Sequence, residues 1–174
     1  MNRQAILILL TLFGSAALLQ GPSELEAQSS CQPVFEALTK VVTTASHSYS
    51  TYTVQGRKIT GEKIYAQGKA FDLVDGKWVK DSADLKEILA KQNEGRAHAT
   101  ATCKIVREES VNGQPATLYS LHGKTGNTVQ ETQIWIAKGT GLALREEMDV
   151  DAGGSATKSH MSARYEYGTI QPPI

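Results

Sequence analysis

The stretch from Thr128 to Val150, TVQETQIWIAKGTGLALREEMDV, predicts two antiparallel strands joined by a turn at Lys138-Gly139-Thr140-Gly141. Side chains of a strand alternate between its two faces, and in the second arm one face is mostly apolar while the other is mostly charged. This is the pattern of an antiparallel sheet with one face toward water. The apolar face comprises Leu142, Leu144, Glu146, Met148 and Val150. We expect Gly139 and Gly141 to supply the positive φ angles of the turn.

Further strands are predicted on both sides of this hairpin. Residues 47–80 are rich in Tyr, Thr, Val and Ile and are interrupted by glycines, so they predict about four short strands. Asp75-Gly76 is a strong two-residue hairpin signal within them. Strands are also predicted at residues 97–109, 116–123 and 156–167, with short glycine-containing links between them. Links of hairpin length predict an antiparallel meander of about eight strands.

Two amphipathic helices complete the pattern. Apolar residues recur every three or four positions from Pro33 to Ala45, and Pro33 suits a first helical turn. A second helix has Ser82 as its cap, Asp84 in its first turn and Gly95 at its end, with an apolar stripe of Leu85, Ile88 and Leu89. The apolar stripe of each helix must be buried against another part of the protein. The predicted fold class is therefore α+β, a curved antiparallel half-barrel sheet with two helices on its concave side.

The N-terminus has the pattern of a secretory signal peptide. Arg3 precedes an apolar run from Ala5 to Leu19, which is shorter than the roughly 20 residues that span a bilayer. Leu25-Glu26-Ala27 offers a small residue at the cleavage position. We therefore expect residues 1–27 to be a signal peptide, residues 28–174 to be a single domain, and the protein to be periplasmic, or secreted if the cell has no outer membrane.

The chain has two cysteines, Cys31 and Cys103, and an even pair in an exported protein predicts a disulfide. Such a bridge would tie the start of the first helix to a central strand. The alternative is a pair of buried, unreactive thiols. Lipidation at Cys31 is not expected, because the Gln28-Ser29-Ser30 segment before it has no aliphatic residue.

The composition and the histidine pattern favour neither nucleic-acid binding nor catalysis. Lys and Arg number 18 and Asp and Glu also number 18, so there is no basic footprint for nucleic acid. The four histidines, at positions 47, 98, 122 and 160, form no metal-binding helix pair, although His122 could lie near Ser120 or Glu131. Two acidic pairs, Glu108-Glu109 and Glu146-Glu147, lie on predicted strands. The two carboxylates of each pair point to opposite faces, so they cannot act together on one substrate bond. We expect no enzymatic activity, no cofactor and no metal.

Three motifs carry a resemblance to a known family. They are an Ile-Trp-Ile strand at 134–136, a Gly-Thr-Gly-Leu-Ala-Leu-Arg turn at 139–145 and a closing Ala-Arg-Tyr-Glu-Tyr-Gly strand at 163–168. With the order helix, short strands, helix and long meander, they resemble the periplasmic lipoprotein-carrier superfamily of half-barrel proteins like LolA and LolB. The resemblance implies an apolar cavity between sheet and helices that holds an acyl chain, lipid or lipoprotein. Candidate lining residues are Leu142, Leu144, Met148, Met161, Ala163 and Tyr165.

Two alternatives to a ligand cavity stay open at this point. The candidate residues could pack as a closed core against Phe35, Leu38 and Leu85, because a chain of this size must bury apolar surface in any case. The protein could also be a periplasmic interaction module with a filled core and an exposed strand edge. The expected partners are a hydrophobic small molecule or acyl chain and a lipoprotein or membrane-associated protein, and we expect a monomer.

Overall fold

The computed structural model describes residues 24–153 and 158–174, with side chains from residue 30 onward. The predicted signal peptide therefore lies largely outside the described residues, as does the predicted start of the last strand at Ala156. The elements in chain order are α1 (Glu24–Thr43), β1 (Ser46–Val54), β2 (Arg57–Ala66), β3 (Lys69–Val74), β4 (Lys77–Lys80), α2 (Leu85–Ala97), β5 (Thr100–Val111), β6 (Gln114–Thr125), β7 (Thr128–Ala137), β8 (Ala143–Asp151) and β9 (Lys158–Tyr167).

The predicted fold class is confirmed: a curved, open antiparallel sheet carries two helices. Within the described part of the chain the sheet has nine strands, in the order β4-β3-β2-β1-β9-β8-β7-β6-β5, rather than about eight. It consists of two meanders, β1–β4 and β5–β9, because α2 carries the chain from one edge of the sheet to the other. Strands β1 and β9, far apart in sequence, pair antiparallel at the seam between the meanders.

The hairpin turns follow the sequence signals. Asp75 and Gly76 have φ angles of 49° and 75°, and Asn112 and Gly113 have 51° and 80°, as a two-residue turn between twisted strands requires. In the β7–β8 turn only Gly141 has a positive φ, 65°, so the expectation for Gly139 is wrong.

A second constraint at Gly141 comes from α1. A Cβ atom there would lie 2.7 Å from the ammonium of Lys40, which donates a 2.8 Å hydrogen bond to the carbonyl of Thr140. The β7–β8 turn is thus fastened to the last turn of α1.

A bulge interrupts the β7–β8 pairing. Trp135 faces Arg145 while Ile136 faces Ala143, so Leu144 is the extra residue of β8. At this end of β8 the side chains therefore alternate between the two faces of the sheet in the opposite phase. Ala143 joins the core under the helices, whereas Leu144 packs beside Trp135 on the convex side of the sheet.

The core lies between α1 and the concave face of the sheet. Its buried members are Val34, Ala37, Val41 and Val42 from α1 and Tyr65, Ala70, Leu121, Ile134, Ile136 and Ala143 from the sheet. The apolar stripe predicted for the first helix is therefore confirmed. The helix begins earlier than predicted, at Glu24, so Pro33 lies inside it rather than in its first turn.

The second helix differs from its prediction at both ends. Asp84, not Ser82, is the N-cap, and its carboxylate accepts a 2.8 Å hydrogen bond from the amide of Glu87. The helix continues through Gly95 to Ala97, and Gly95 therefore does not end it.

None of the side chains of α2 is fully buried, so the helix is held by few contacts. Leu85, Ile88 and Leu89 are partly buried against the core. The guanidinium of Arg96 donates to the carbonyl of Phe35 and to Oγ1 of Thr39, each at 3.3 Å, and lies 5.0 Å from the centre of the Phe35 ring. Arg96 is thus the main polar link between α2 and α1.

The predicted disulfide joins Cys31 of α1 to Cys103 of β5, with their Cα atoms 5.0 Å apart. Strand β5 is an edge strand, not the central one expected from the sequence. The bridge therefore fixes α1 to the open border of the half-barrel. Within residues 24–153 and 158–174, neither helix has the length and apolar character of a membrane span.

Candidate functional site

The concave side of the sheet is not completely filled by the helices. One space of about 430 Å³, here called the apolar cavity, lies between the two helices and strands β5 to β7. Its apolar lining comes from Phe35, Leu38, Ala99, Ala101 and Leu121. Ala101 and Gly123 face each other on β5 and β6, and their small size leaves this space open.

A second space of about 380 Å³, here called the polar cavity, lies over strands β8, β9, β1 and β2. Its floor is formed by Ala163, Ser50 and Gly61, which are direct neighbours on three adjacent strands. A Cβ atom on Gly61 would come within 3.1 Å of the Ser50 hydroxyl, so even alanine would crowd this floor. Leu38 and Gln92 line both cavities, which therefore adjoin at these two side chains.

A buried carboxyl group faces the polar cavity. The side chain of Glu146 on β8 is only 6% exposed and accepts a 2.6 Å hydrogen bond from the hydroxyl of Tyr165 on β9. Burial raises the pKa of Glu146 because it disfavours the charged form, and the Tyr165 hydrogen bond only partly opposes this. Burial and the neighbouring Glu146 carboxyl raise the pKa of Tyr165 well above its ordinary value.

The cation at the other wall of the polar cavity is already paired. The ammonium of Lys63 lies 3.1 Å from the carboxylate of Asp72 and 3.0 Å from that of Asp81. Partial burial lowers the pKa of Lys63, but its hydrogen bond to Asp81 and its contact with Asp72 outweigh burial and raise it. The pKa of Asp81 is lowered by hydrogen bonds from the amide of Ala83 and from Lys63. This group is therefore a charged triad with one more negative than positive charge.

Gln92 supplies a buried hydrogen-bond acceptor between the two cavities. Its Oε1 is inaccessible to solvent and has no hydrogen-bond partner among the described residues. Buried amide oxygens are normally satisfied, and an unsatisfied one costs about 1–3 kcal/mol. Because Gln92 stands where the two cavities adjoin, its free oxygen marks a position at which a ligand donor would be favourable.

The structure separates the candidate lining residues predicted from the sequence. Met161, Ala163 and Tyr165 line the polar cavity. Met148 pairs with Met161 across β8 and β9 and is half-buried, but lines neither cavity. Leu144 packs on the opposite face, because the bulge shifts it there. Leu142 precedes β8, where its carbonyl accepts a hydrogen bond from the amide of Ala137.

The lining residues predicted from the sequence do not include Glu146, although a signal is present. It is the one acid in the otherwise apolar row of the second hairpin arm, and such an exception indicates a buried polar group. The other wall of the polar cavity carries no comparable signal, because Ser48, Ser50 and Lys63 are half-buried polar residues whose strand neighbours are half-buried or buried, so no alternation distinguishes them.

The convex face carries a network of exposed and half-buried charges. Arg145 and Arg164 face each other across β8 and β9, and their guanidinium groups lie 4.7 Å from the Trp135 ring and 3.7 Å from the Tyr49 ring. Glu147 pairs with Arg145 on this face, so Glu146 and Glu147 lie on opposite faces as predicted. These contacts account for the exposed charges of the central strands.

The histidines of the convex face are paired with carboxylates. Nδ1 of His122 lies 2.5 Å from Glu131, the neighbour anticipated from the sequence. His160 lies 2.8 Å from Asp149 and 3.0 Å from Glu147. Among the described residues, no three His, Cys, Asp or Glu side chains cluster as metal ligands.

Comparison with solved structures finds similar chains. MucB matches with a TM-score of 0.50 and 15% sequence identity, over 88% of this chain and 62% of MucB. MucB in complex with MucA(peri) matches with a TM-score of 0.49 and 15% identity, over 83% of this chain and 57% of that one. LprF from Mycobacterium bovis gives a TM-score of 0.40 at 12% identity, over 84% of this chain and 97% of LprF. The chain thus spans about six-tenths of the length of MucB.

The likeness to MucB is, at this identity, a likeness of fold alone and carries nothing about ligand or partner. No protein-family model and no curated protein sequence matches the chain.

Proposed function

We propose that the protein binds a hydrophobic ligand, an acyl chain or lipid, between sheet and helices without changing it chemically. The observation that carries this proposal is the pair of adjoining cavities on the concave side, of about 430 and 380 Å³. Ligand pockets of proteins typically measure about 300–1,000 Å³. A filled core, the alternative interpretation of the same apolar residues, would leave no such space.

The attachment of α2 suits a site whose width can change. Gln92, Gly95 and Arg96 of this helix form one wall of the apolar cavity, which is partly open to solvent, so a shift of α2 would widen its entrance. The helix has no fully buried side chain, so moving it exposes little core surface. In contrast, α1 is fixed by its buried stripe and by the disulfide, and it keeps the rest of the cavity in place.

Export to an oxidising compartment belongs to the same proposal. The Cys31–Cys103 bridge is stable in the periplasm or outside the cell and rare in the cytosol. Residues 1–27 then serve as a signal peptide, and residues 28–174 form the working domain. A lipoprotein or a membrane-associated protein would be the source or the recipient of the ligand.

A periplasmic interaction module is the second candidate, and one observation favours it. Edge strand β5 exposes two large apolar side chains, Ile105 at 64% and Val106 at 44%. An open edge with apolar side chains can pair with a strand of another protein. In this alternative the protein would bind a partner through β5, and its cavities would stay empty.

Native mass spectrometry of the purified protein, beside its denatured mass and a lipid extract of the same sample, tests the main proposal. A co-purifying mass that extracts as an acyl compound supports it. A protein without added mass, whose melting temperature does not move with added dodecan-1-ol, contradicts it.

A pair of variants locates the site. Ala101→Trp places a large side chain in the apolar cavity, whereas Thr102→Trp places the same side chain on the other face of β5. We expect A101W to lose at least tenfold in affinity for dodecan-1-ol and T102W to retain it. Equal affinities in two folded variants would place the binding site elsewhere.

A further inference from the structure

A ligand that extends through both cavities must have an apolar part and a polar part, because the cavities adjoin at Leu38 and Gln92 but differ in lining. We propose that the polar part is a protonated amine held by the carboxyl of Glu146, so that the ligand is an amphipathic amine. This inference rests on the proposed function, since it assigns the head group of the hydrophobic ligand.

The carboxyl of Glu146 has no counter-charge among the described side chains. It receives a hydrogen bond from Tyr165, and none of the ion pairs among the described side chains includes it. A carboxylate removed from water without a cation is costly, and its pKa rises instead. A cation supplied by the ligand would favour the ionised form.

Among its described lining residues, the polar cavity has no positive charge that lacks a carboxylate partner. Lys63 is shared by Asp72 and Asp81, which leaves this wall with an excess of one negative charge. An anionic head group would therefore meet Glu146 on one side and an already neutralised lysine on the other. A cationic head group is attracted by both walls.

The polar cavity also supplies hydrogen-bond acceptors and aromatic rings. Besides the Glu146 carboxyl, the unpaired Oε1 of Gln92 is available, and a protonated primary amine carries three N–H donors. Tyr52, Tyr65 and Tyr165 line the same cavity, and tyrosine ring faces attract cations. A protonated amine therefore supplies the donors that the buried acid can accept, and its N–H groups also suit a free acceptor such as Gln92 Oε1.

Positive groups occur at the apolar cavity, but they do not form a carboxylate site. The Arg96 guanidinium already donates to the Phe35 carbonyl, Thr39 Oγ1 and Asn93 Oδ1. Lys124 is exposed to solvent. A fatty-acid carboxylate could bind Arg96 only by displacing these acceptors, and the experiment below includes that competitor.

The test compares three probes of one chain length at neutral pH, below their micelle concentrations: dodecylamine, dodecan-1-ol and dodecanoate. Dissociation constants are measured by calorimetry for the full exported protein, for Glu146→Gln and for Glu147→Gln. Glu147 is the matched control, because it follows Glu146 on β8 and lies on the opposite face.

We expect the wild type to bind dodecylamine at least tenfold more tightly than dodecan-1-ol. E146Q should reduce this ratio to about one, and E147Q should leave it unchanged.

Other outcomes overturn the inference. If dodecan-1-ol or dodecanoate binds the wild type as tightly as dodecylamine, or if folded E146Q keeps the preference, the amine assignment is wrong while the hydrophobic site remains. If none of the three probes binds, the proposed function itself fails. If E146Q does not fold, the three wild-type affinities still decide the matter.

Discussion

The hydroxyl of Tyr165 donates a 2.6 Å hydrogen bond to the carboxyl of Glu146 across neighbouring strands of the concave face. Glu146 stands directly opposite Ala163, and Tyr165 lies two residues further along β9. Glutamine at position 146 could still accept this hydrogen bond but would carry no charge. Comparing the wild type with this variant therefore measures the free-energy cost of burying the acid.

Glu146→Gln should change how stability depends on pH. Burial raises the pKa of Glu146 in the folded protein above its value in the unfolded chain. Between these two pKa values the folded state binds a proton that the unfolded state lacks, so the free energy of unfolding falls by up to about 1.4 kcal/mol for each pH unit gained. Denaturant titrations at several pH values should show this fall in the wild type and in E147Q. They should not show it in E146Q, and identical profiles for wild type and E146Q would contradict the assignment.

Removing the disulfide should destabilise the protein strongly. Cys31 and Cys103 are 72 positions apart, and the chain-entropy model gives a bridge of this span about 4 kcal/mol. We expect Cys31→Ser with Cys103→Ser to lose roughly that free energy of unfolding in denaturant titrations. Reduction of the wild type should raise its mass by two units. Equal stability of the two proteins would show that the bridge contributes nothing.

Arg96→Ala should loosen α2 more than it affects the sheet. The substitution removes the hydrogen bonds to the Phe35 carbonyl and to Thr39, and we expect it to cost about 1–2 kcal/mol. Hydrogen exchange of the α2 amides should accelerate, while that of β8 and β9 should not. Lys86→Ala, at an exposed position of the same helix, is the control. Unchanged exchange in R96A would mean that the apolar stripe alone holds the helix.

The pKa of His160 should lie above that of an ordinary histidine. The hydrogen bond to Asp149 raises its pKa most, partial burial opposes this, and the charges of Asp149 and Glu147 raise it further. A raised folded-state pKa means that the protonated ring stabilises the protein at low pH, and that this contribution disappears as the pH rises through that pKa. NMR titration should show Asp149→Asn lowering the His160 pKa and Glu166→Gln leaving it in place. An unshifted pKa in D149N would reject the contact.

The export prediction is tested by intact mass. Protein purified from a host with a functional secretion system should begin at Gln28, because the signal peptide is expected to be removed after Ala27. A mass that still includes Met1 would contradict both the cleavage site and the periplasmic assignment. The strength of this experiment is that it needs no knowledge of the ligand.

The sequence predicts the parts of this fold that depend on local patterns. Alternation in residues 128–150 and turn pairs such as Asn112-Gly113 identify strands and hairpins, because a tight turn needs specific backbone angles. Features that depend on contacts between residues far apart in sequence cannot be predicted from a local pattern. The pairing of β1 with β9 and the position of β5 at the edge depend on how α2 crosses the sheet. The bulge that reverses Leu144 depends on the strand opposite it.

The same distinction applies to the candidate site. The resemblance to lipoprotein carriers predicts a cavity on the concave side, and alternation along the last strand selects Met161, Ala163 and Tyr165, all of which line it. The space itself results from small residues on neighbouring strands, such as Ala163, Ser50 and Gly61. No single stretch of sequence shows that these three are adjacent, because they come from β9, β1 and β2.

The pairing of β1 with β9 determines when folding of the sheet can be completed. The two meanders can each form from nearby sequence, but they join only through strands from opposite ends of the domain. Contacts of such sequence separation form late and slow a folding reaction. An exported chain, as proposed above, emerges N-terminus first and keeps β1 unpaired on one side until residues 158–167 have followed. During that interval the emerging chain is most exposed to proteases and to wrong partners.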